Sequence, residues 1–253
     1  MIILLSPAKS LNLNPIEYSK NTSPLHKSEI KELISIMKTY DSEGLGDLMH
    51  ISKKLADENL NRFSNFKSRH TGKNSKQAVF TFDGDVYRGL NAQEWTEEDL
   101  TYAQDHLRIL SGLYGVLRPL DLIQAYRLEM GSSITTNAGK GLYKYWGSKI
   151  SKHLNGALRS HGNKTILNLA SNEYFKAVDL KTLKSDILNI NFKEYRNGKV
   201  TFVSFSAKVA RGLMANYIMK NRIEDIEEIK GFNVENYRFD MDLSKEGELI
   251  FSR

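Results

Sequence analysis

The chain has 253 residues, of which 40% are hydrophobic and 26% charged, enough for a substantial core and ordinary for a globular protein. Lys and Arg number 36 against 30 Asp and Glu, a formal net charge of +6, and there is no cysteine, which excludes a disulfide framework, thiolate catalysis and sulfur-held zinc. The apolar start Met1–Leu5 is too short for a signal peptide, and no run reaches the roughly 18 apolar residues of a membrane span. These features fit a cytoplasmic protein with no membrane attachment.

In chain order, Met1–Leu5 reads as a buried strand that Ser6-Pro7 ends. Ile30, Leu33, Ile34 and Met37 follow the i, i+3, i+4, i+7 spacing of an amphipathic helix beginning near Ser28. Ser52–Phe66 is a second helix with Ala56, Leu60 and Phe63 on one stripe, and the basic, polar Phe66–Lys76 is an exposed loop. Gln77–Phe82 alternates and is rich in β-formers, which predicts a strand. Thr96-Glu-Glu-Asp99 places acids in a first helical turn, and that helix runs to His106 before a strand at Leu107–Ser111. Leu142–Leu158 reads as one helix, with Leu142, Trp146 and Ile150 opposite Lys144, Lys152 and Arg159. A strand follows at Thr165–Leu169. Asn197-Gly198 is a strong hairpin signal between strands Ile187–Tyr195 and Lys199–Phe205. Ala207–Lys220 and Glu224–Ile229 are helical, and Leu249–Phe251 adds an edge strand. Strands and helices alternate without a linker or repeat, so the expectation is one α/β domain over residues 1–253, a mixed β-sheet flanked by helices.

Charge is segregated along the chain. Met130–Asn172 holds six bases and no acid, Lys193–Arg222 holds seven bases and one acid, and Ile223–Arg253 holds nine acids and four bases. Folding either gathers the basic stretches into one patch or scatters them over unrelated surfaces.

Four segments at predicted strand ends share small polar residues and cations: Ser6-Pro-Ala-Lys9, Ser111-Gly-Leu-Tyr-Gly115, Asn168-Leu-Ala-Ser171 and the Ser204–Lys208 run. Ligands of open α/β sheets collect beyond the carboxyl ends of the strands, and the following helix starts offer N–H groups to anions. Turn and capping chemistry accounts for each segment singly; together they suggest a shared site. Lys208 and Arg211 share a helix face, and Arg127 and Glu129 share a side of an extended Tyr126–Met130. Gly112-Leu-Tyr-Gly115 also has the form of a helix-hairpin-helix turn, which offers backbone N–H groups to DNA phosphates, although Pro119 opposes a long second helix. Asp83 and Asp85 lack the rest of a calcium loop, the histidines show no metal-ligand spacing, and the nucleotide-loop and nucleophile-elbow motifs are missing, so no metal or cofactor is expected.

Six blocks together resemble the peroxide-stress protein YaaA family: Ile3-Leu-Leu-Ser-Pro-Ala-Lys9, Phe82-Asp-Gly-Asp-Val-Tyr87, Leu110-Ser-Gly-Leu-Tyr-Gly-Val-Leu-Arg-Pro-Leu-Asp121, Tyr126-Arg-Leu-Glu-Met-Gly131, Asn168-Leu-Ala-Ser-Asn-Glu-Tyr174 and Phe205-Ser-Ala-Lys-Val-Ala-Arg-Gly212. The resemblance implies a bacterial cytoplasmic protein that protects against hydrogen peroxide, in part by limiting free iron. It also implies an α/β fold with a positively charged cleft, a helix-hairpin-helix-like element and binding to duplex DNA. It carries over no catalytic residues. The residues expected to hold DNA or another anion are Ser6, Lys9, Ser111, Gly112, Tyr114, Gly115, Arg118, Arg127, Glu129, Lys144, Asn168, Ser171, Lys208 and Arg211, in a monomer. The alternative is an enzyme that holds a nucleotide or phosphate at the strand ends, with Arg127 and Glu129 orienting or protonating it.

Overall fold

A computed structural model describes residues 1–253. Its centre is β1 (Ile2–Leu5), four apolar residues with no exposed surface, as expected of a parallel strand covered on both faces. Around it, in chain order, lie α1 (Lys27–Met37), α2 (Ser42–Met49), α3 (Lys53–Asn65), α4 (Asp85–Leu90), α5 (Glu97–His106), β2 (Leu107–Ser111), β3 (Gly115–Leu117), α6 (Leu142–Trp146), α7 (Lys149–Ala157), β4 (Ile166–Asn168), β5 (Ile187–Arg196), β6 (Lys199–Thr201), α8 (Ser204–Asn221), β7 (Arg238–Phe239) and β8 (Glu248–Ser252).

The main sheet has eight strands in the order β7-β8-β5-β4-β1-β2-β3, with β6 paired to β5. β1 runs parallel to both β2 and β4, with Ile3 opposite Leu107 and Leu167. β4–β5 and β5–β8 are also parallel, whereas β3, β6 and β7 are antiparallel to their neighbours. The architecture is therefore α/β with a mixed central sheet flanked by helices. No helix is long and apolar enough to cross a membrane.

Four expectations are corrected. Gln77–Phe82 is not a strand: Ala78–Thr81 form one helical turn, buried on every side, with the Thr81 hydroxyl donating to the Gln77 carbonyl at 2.7 Å. Complete burial removes the in–out contrast that alternation in a strand would serve. Leu142–Leu158 is two helices, because Gly147 takes φ +46° and turns the chain between α6 and α7. The second hairpin strand stops at Thr201, and α8 begins at Ser204. β8 is an interior strand, since β7 covers its outer side.

α4 and α8 pack backbone to backbone. A Cβ at Gly212 would lie 1.9 Å from the Val86 carbonyl oxygen, and one at Gly89 would lie 2.2 Å from that of Val209. Gly212→Ala is therefore expected to destabilise the protein by about 3 kcal/mol through overpacking. Gly156→Ala on exposed α7 meets nothing within 4 Å and is expected to be neutral or stabilising by up to about 1 kcal/mol. Urea unfolding of both variants checks the pair.

Candidate functional site

The carboxyl ends of β1, β2 and β4 meet on one side of the sheet. Ser6, just past β1, donates its hydroxyl to Ser171 Oγ at 3.2 Å and accepts the Ser171 backbone N–H at 2.8 Å. The Tyr87 hydroxyl donates to the Ser6 carbonyl at 3.0 Å. Asn168, the last residue of β4, donates to Asn189 Oδ1 at 2.9 Å and accepts the Ala170 N–H at 3.0 Å.

Segment 126–131 crosses over these ends without forming a strand and closes in a turn, where the Ser132 N–H donates to the Glu129 carbonyl at 3.0 Å. It presses on Gly112 so closely that a Cβ there would sit 2.2 Å from the Leu128 carbonyl oxygen. Ser111 Oγ and the Tyr126 hydroxyl share a hydrogen bond of 2.6 Å, and Trp146 Nε1 donates to the Gly112 carbonyl at 2.9 Å. The crossing brings Glu129 to 2.8 Å from Lys9 Nζ and 2.9 Å from Arg127. Burial pushes the Glu129 carboxyl up, but the hydrogen bond and charge of Lys9, joined by Arg127, outweigh it and hold it below the usual range. Glu129 is thus an ionised acceptor for both cations at neutral pH. Burial pushes the Tyr87, Tyr126 and Tyr174 hydroxyls well up, so they remain protonated.

Beside Ser171 lies an open groove of about 870 Å³ whose wall includes Asn189, Asn191, Phe202, Lys208 and Arg211. Neither Lys208 nor Arg211 is in an ion pair. Burial alone lowers the pKa of Arg211. The sequence-derived residues fall into separate sets: Ser6 and Asn168 bond to Ser171 and Asn189 in the wall that also holds Lys208 and Arg211, Lys9 and Arg127 pair with Glu129, and Ser111 meets Tyr126. Lys144, exposed on α6, lies against Gly139 and makes no contact with the strand-end residues, so it stands apart from them.

Four expected residues have other roles. Arg118 is spent on Asp121, a carboxylate with no exposed surface, at 2.8 Å, and on the Ser23 carbonyl. Tyr114 has no exposed surface; its hydroxyl accepts the Gln124 N–H at 3.0 Å and contacts His70 Nε2 at 3.2 Å. Gly112 and Gly115 are buried in a turn between two strands, β2 and β3, and not between helices. Gly115 has φ +71° and lies against the Trp146 ring. This turn is therefore no helix-hairpin-helix. Two helices joined by a short turn do occur, at α2–α3 around left-handed His50.

Sequence reasoning missed a second groove of about 860 Å³ between α1 and the 66–70 loop. Lys27, Lys31, Lys38, Lys67 and Arg69 line it, with no Asp or Glu in its wall. None of the five is in an ion pair. Burial pushes His70 down, so its imidazole is neutral here. A signal was present: Lys27, Lys31 and Lys38 recur at i, i+4 and i+11 along one stripe of α1.

Fold and grooves define an open-sheet α/β protein whose unpaired cations face solvent-filled clefts. The model of the peroxide stress protein YaaA family matches residues 1–243, and the chain belongs to that family. It is 48% identical to a UPF0246 protein of Saccharophagus degradans, an alignment spanning 100% of this chain and 99% of the relative. It is 46% identical to a UPF0246 protein of Alteromonas mediterranea, over 100% and 98%.

The Glu129 pairs make stability depend on pH. The ordinary carboxyl pKa of 4.5 is lowered in the folded state, so the contribution is complete above 4.5 and lost as pH falls through the folded value. The stability difference between wild type and Glu129→Gln is expected to shrink on acidification below 4.5 and stay constant above about 6. Chemical unfolding at a series of pH values measures it.

Proposed function

We propose that this peroxide-stress family member protects by binding duplex DNA, with the α1 groove as the principal phosphate track. The observation that carries this reading is the set of five unpaired cations along α1 and the 66–70 loop, with no carboxylate in the wall. An unpaired cation keeps its whole charge for a phosphate and releases counterions when it meets one. The open form of the groove suits a polymer passing along it. The helical hairpin α2–α3 takes the expected helix-hairpin-helix role: Ser52, Lys53 and Lys54 at its turn are exposed, and α3 begins without a side-chain cap. No helix presents a groove-reading row of side chains, so binding by backbone charge with weak sequence preference follows.

The strand-end groove supports a second reading, a nucleotide or similar small anion. Lys208 and Arg211 would take its phosphates, and Phe202, 56% exposed in the same wall, offers a face for a base. Lys9, Glu129 and Arg127 would orient it from the far side of the Ser6–Ser171 pair.

A titration of duplex DNA at several salt concentrations separates the two. For Lys27→Ala/Lys31→Ala/Lys67→Ala/Arg69→Ala, the slope of log K against log salt is expected to fall in magnitude by about 3 relative to wild type. Lys208→Ala/Arg211→Ala is expected to leave that slope within about 1 of wild type while removing any binding of a mononucleotide. An unchanged slope in the quadruple variant contradicts the α1 track.

A further inference from the structure

A third cavity, about 650 Å³, opens at the amino-terminal ends of β4 and β5, between the end of α7 and the 182–185 loop. It shares no lining residue with the α1 groove or the strand-end groove. Lys152, Arg159, Lys164 and Lys184 line it, again without an Asp or Glu. None of these four is in an ion pair.

The site is built, not merely charged. Lys164 Nζ donates to the carbonyls of Leu158, Arg159 and His161 at 2.8, 2.9 and 2.5 Å, which fixes its ammonium and consumes its donors. It therefore supplies field, while the side chains of Lys152, Arg159 and Lys184 keep free donors. Asn155 clamps the loop to α7: its amide donates to the Thr182 carbonyl at 2.8 Å, and its oxygen accepts the Lys184 N–H at 2.9 Å. Ser185, also in the wall, has a buried hydroxyl with no hydrogen-bond partner. Its oxygen has no accessible surface, so it belongs to the wall and does not reach into the cavity.

Four gathered cations favour a dense anion over a single negative charge. Only one lining residue, Leu158, is hydrophobic, and none is aromatic, so nothing there stacks a base. The volume suits a small ligand. We propose that this cavity binds a compact polyphosphate, recognised through its phosphoryl oxygens, whether free or as the tail of a nucleoside triphosphate.

Calorimetric titration of the full chain with tripolyphosphate and with ATP tests this. Saturable tripolyphosphate binding is expected, weakened about ten-fold or more in Lys152→Ala/Lys184→Ala, with ATP within about three-fold of tripolyphosphate. Both lysines are exposed, and an unchanged thermal midpoint verifies folding. Lys20→Ala/Lys230→Ala, which removes two cations outside the cavity wall, is expected to leave tripolyphosphate affinity unchanged. The proposal fails if tripolyphosphate does not bind at millimolar concentration, or if Lys152→Ala/Lys184→Ala binds it like wild type. It also fails if the Lys20/Lys230 variant abolishes binding, or if ATP binds far more tightly than tripolyphosphate, which would mean recognition of the base.

Discussion

The close passage of segment 126–131 over Gly112 is the constraint on which the strand-end architecture rests. Only a residue without Cβ lets the Leu128 carbonyl approach so near. The same contact fixes Ser111 against Tyr126, holds the β2–β3 turn under the Trp146 indole and delivers Glu129 to Lys9. Ser6 and Ser171 are joined independently, through adjacent parallel strands β1 and β4. A sheet whose central strands all point their carboxyl ends one way thus becomes a surface where distant segments meet.

Pairing then sorts the cations by role. Arg118 serves buried Asp121, and Lys9 and Arg127 share Glu129. Arg196 and Arg253 hold Glu194 at 2.8 and 2.9 Å, anchoring the hairpin strand to the chain end. A cation committed in this way has little charge left for a phosphate, because its field is cancelled within a few ångströms. Some of those left over gather in three places, the α1 groove, the Lys208–Arg211 face and the cavity at the amino-terminal ends of β4 and β5, while others, such as Lys54, Lys140 and Lys193, lie apart. Net charge alone conveys none of this, since paired and unpaired residues count equally in it.

The core strands were legible because β1 is an unbroken apolar run and β2 and β4 are mostly apolar, broken only by Arg108, Ser111 and Asn168, and α1 because its apolar spacing is regular. The meeting of Ser6 and Ser171 was legible too, as it follows from the parallel pairing of β1 and β4. Which cation finds which carboxylate was not. Lys9 and Glu129 are 120 positions apart, and only the fold puts them 2.8 Å from each other. The α1 groove escaped notice for the same reason, since its two walls come from a helix and a loop some thirty residues further on. The Gly-x-x-Gly block misled because such a turn serves strands as well as helices, and the apolar residues on either side of it, Leu107–Leu110 and Val116–Leu117, favour strands. The Leu142–Leu158 helix was read through Gly147 because apolar spacing continues across it, while the left-handed turn there leaves no trace in periodicity.

The central claim is that unpaired cations along α1 and the 66–70 loop are where duplex DNA lies. Lysine acetylation with and without a duplex, read residue by residue by mass spectrometry, addresses it directly. Protection of Lys27, Lys31, Lys38 and Lys67 is the predicted result, with Lys20 and Lys230, each already paired to a glutamate, little changed. Protection absent from α1 and confined to Lys208, or to Lys152 and Lys184, would contradict the account.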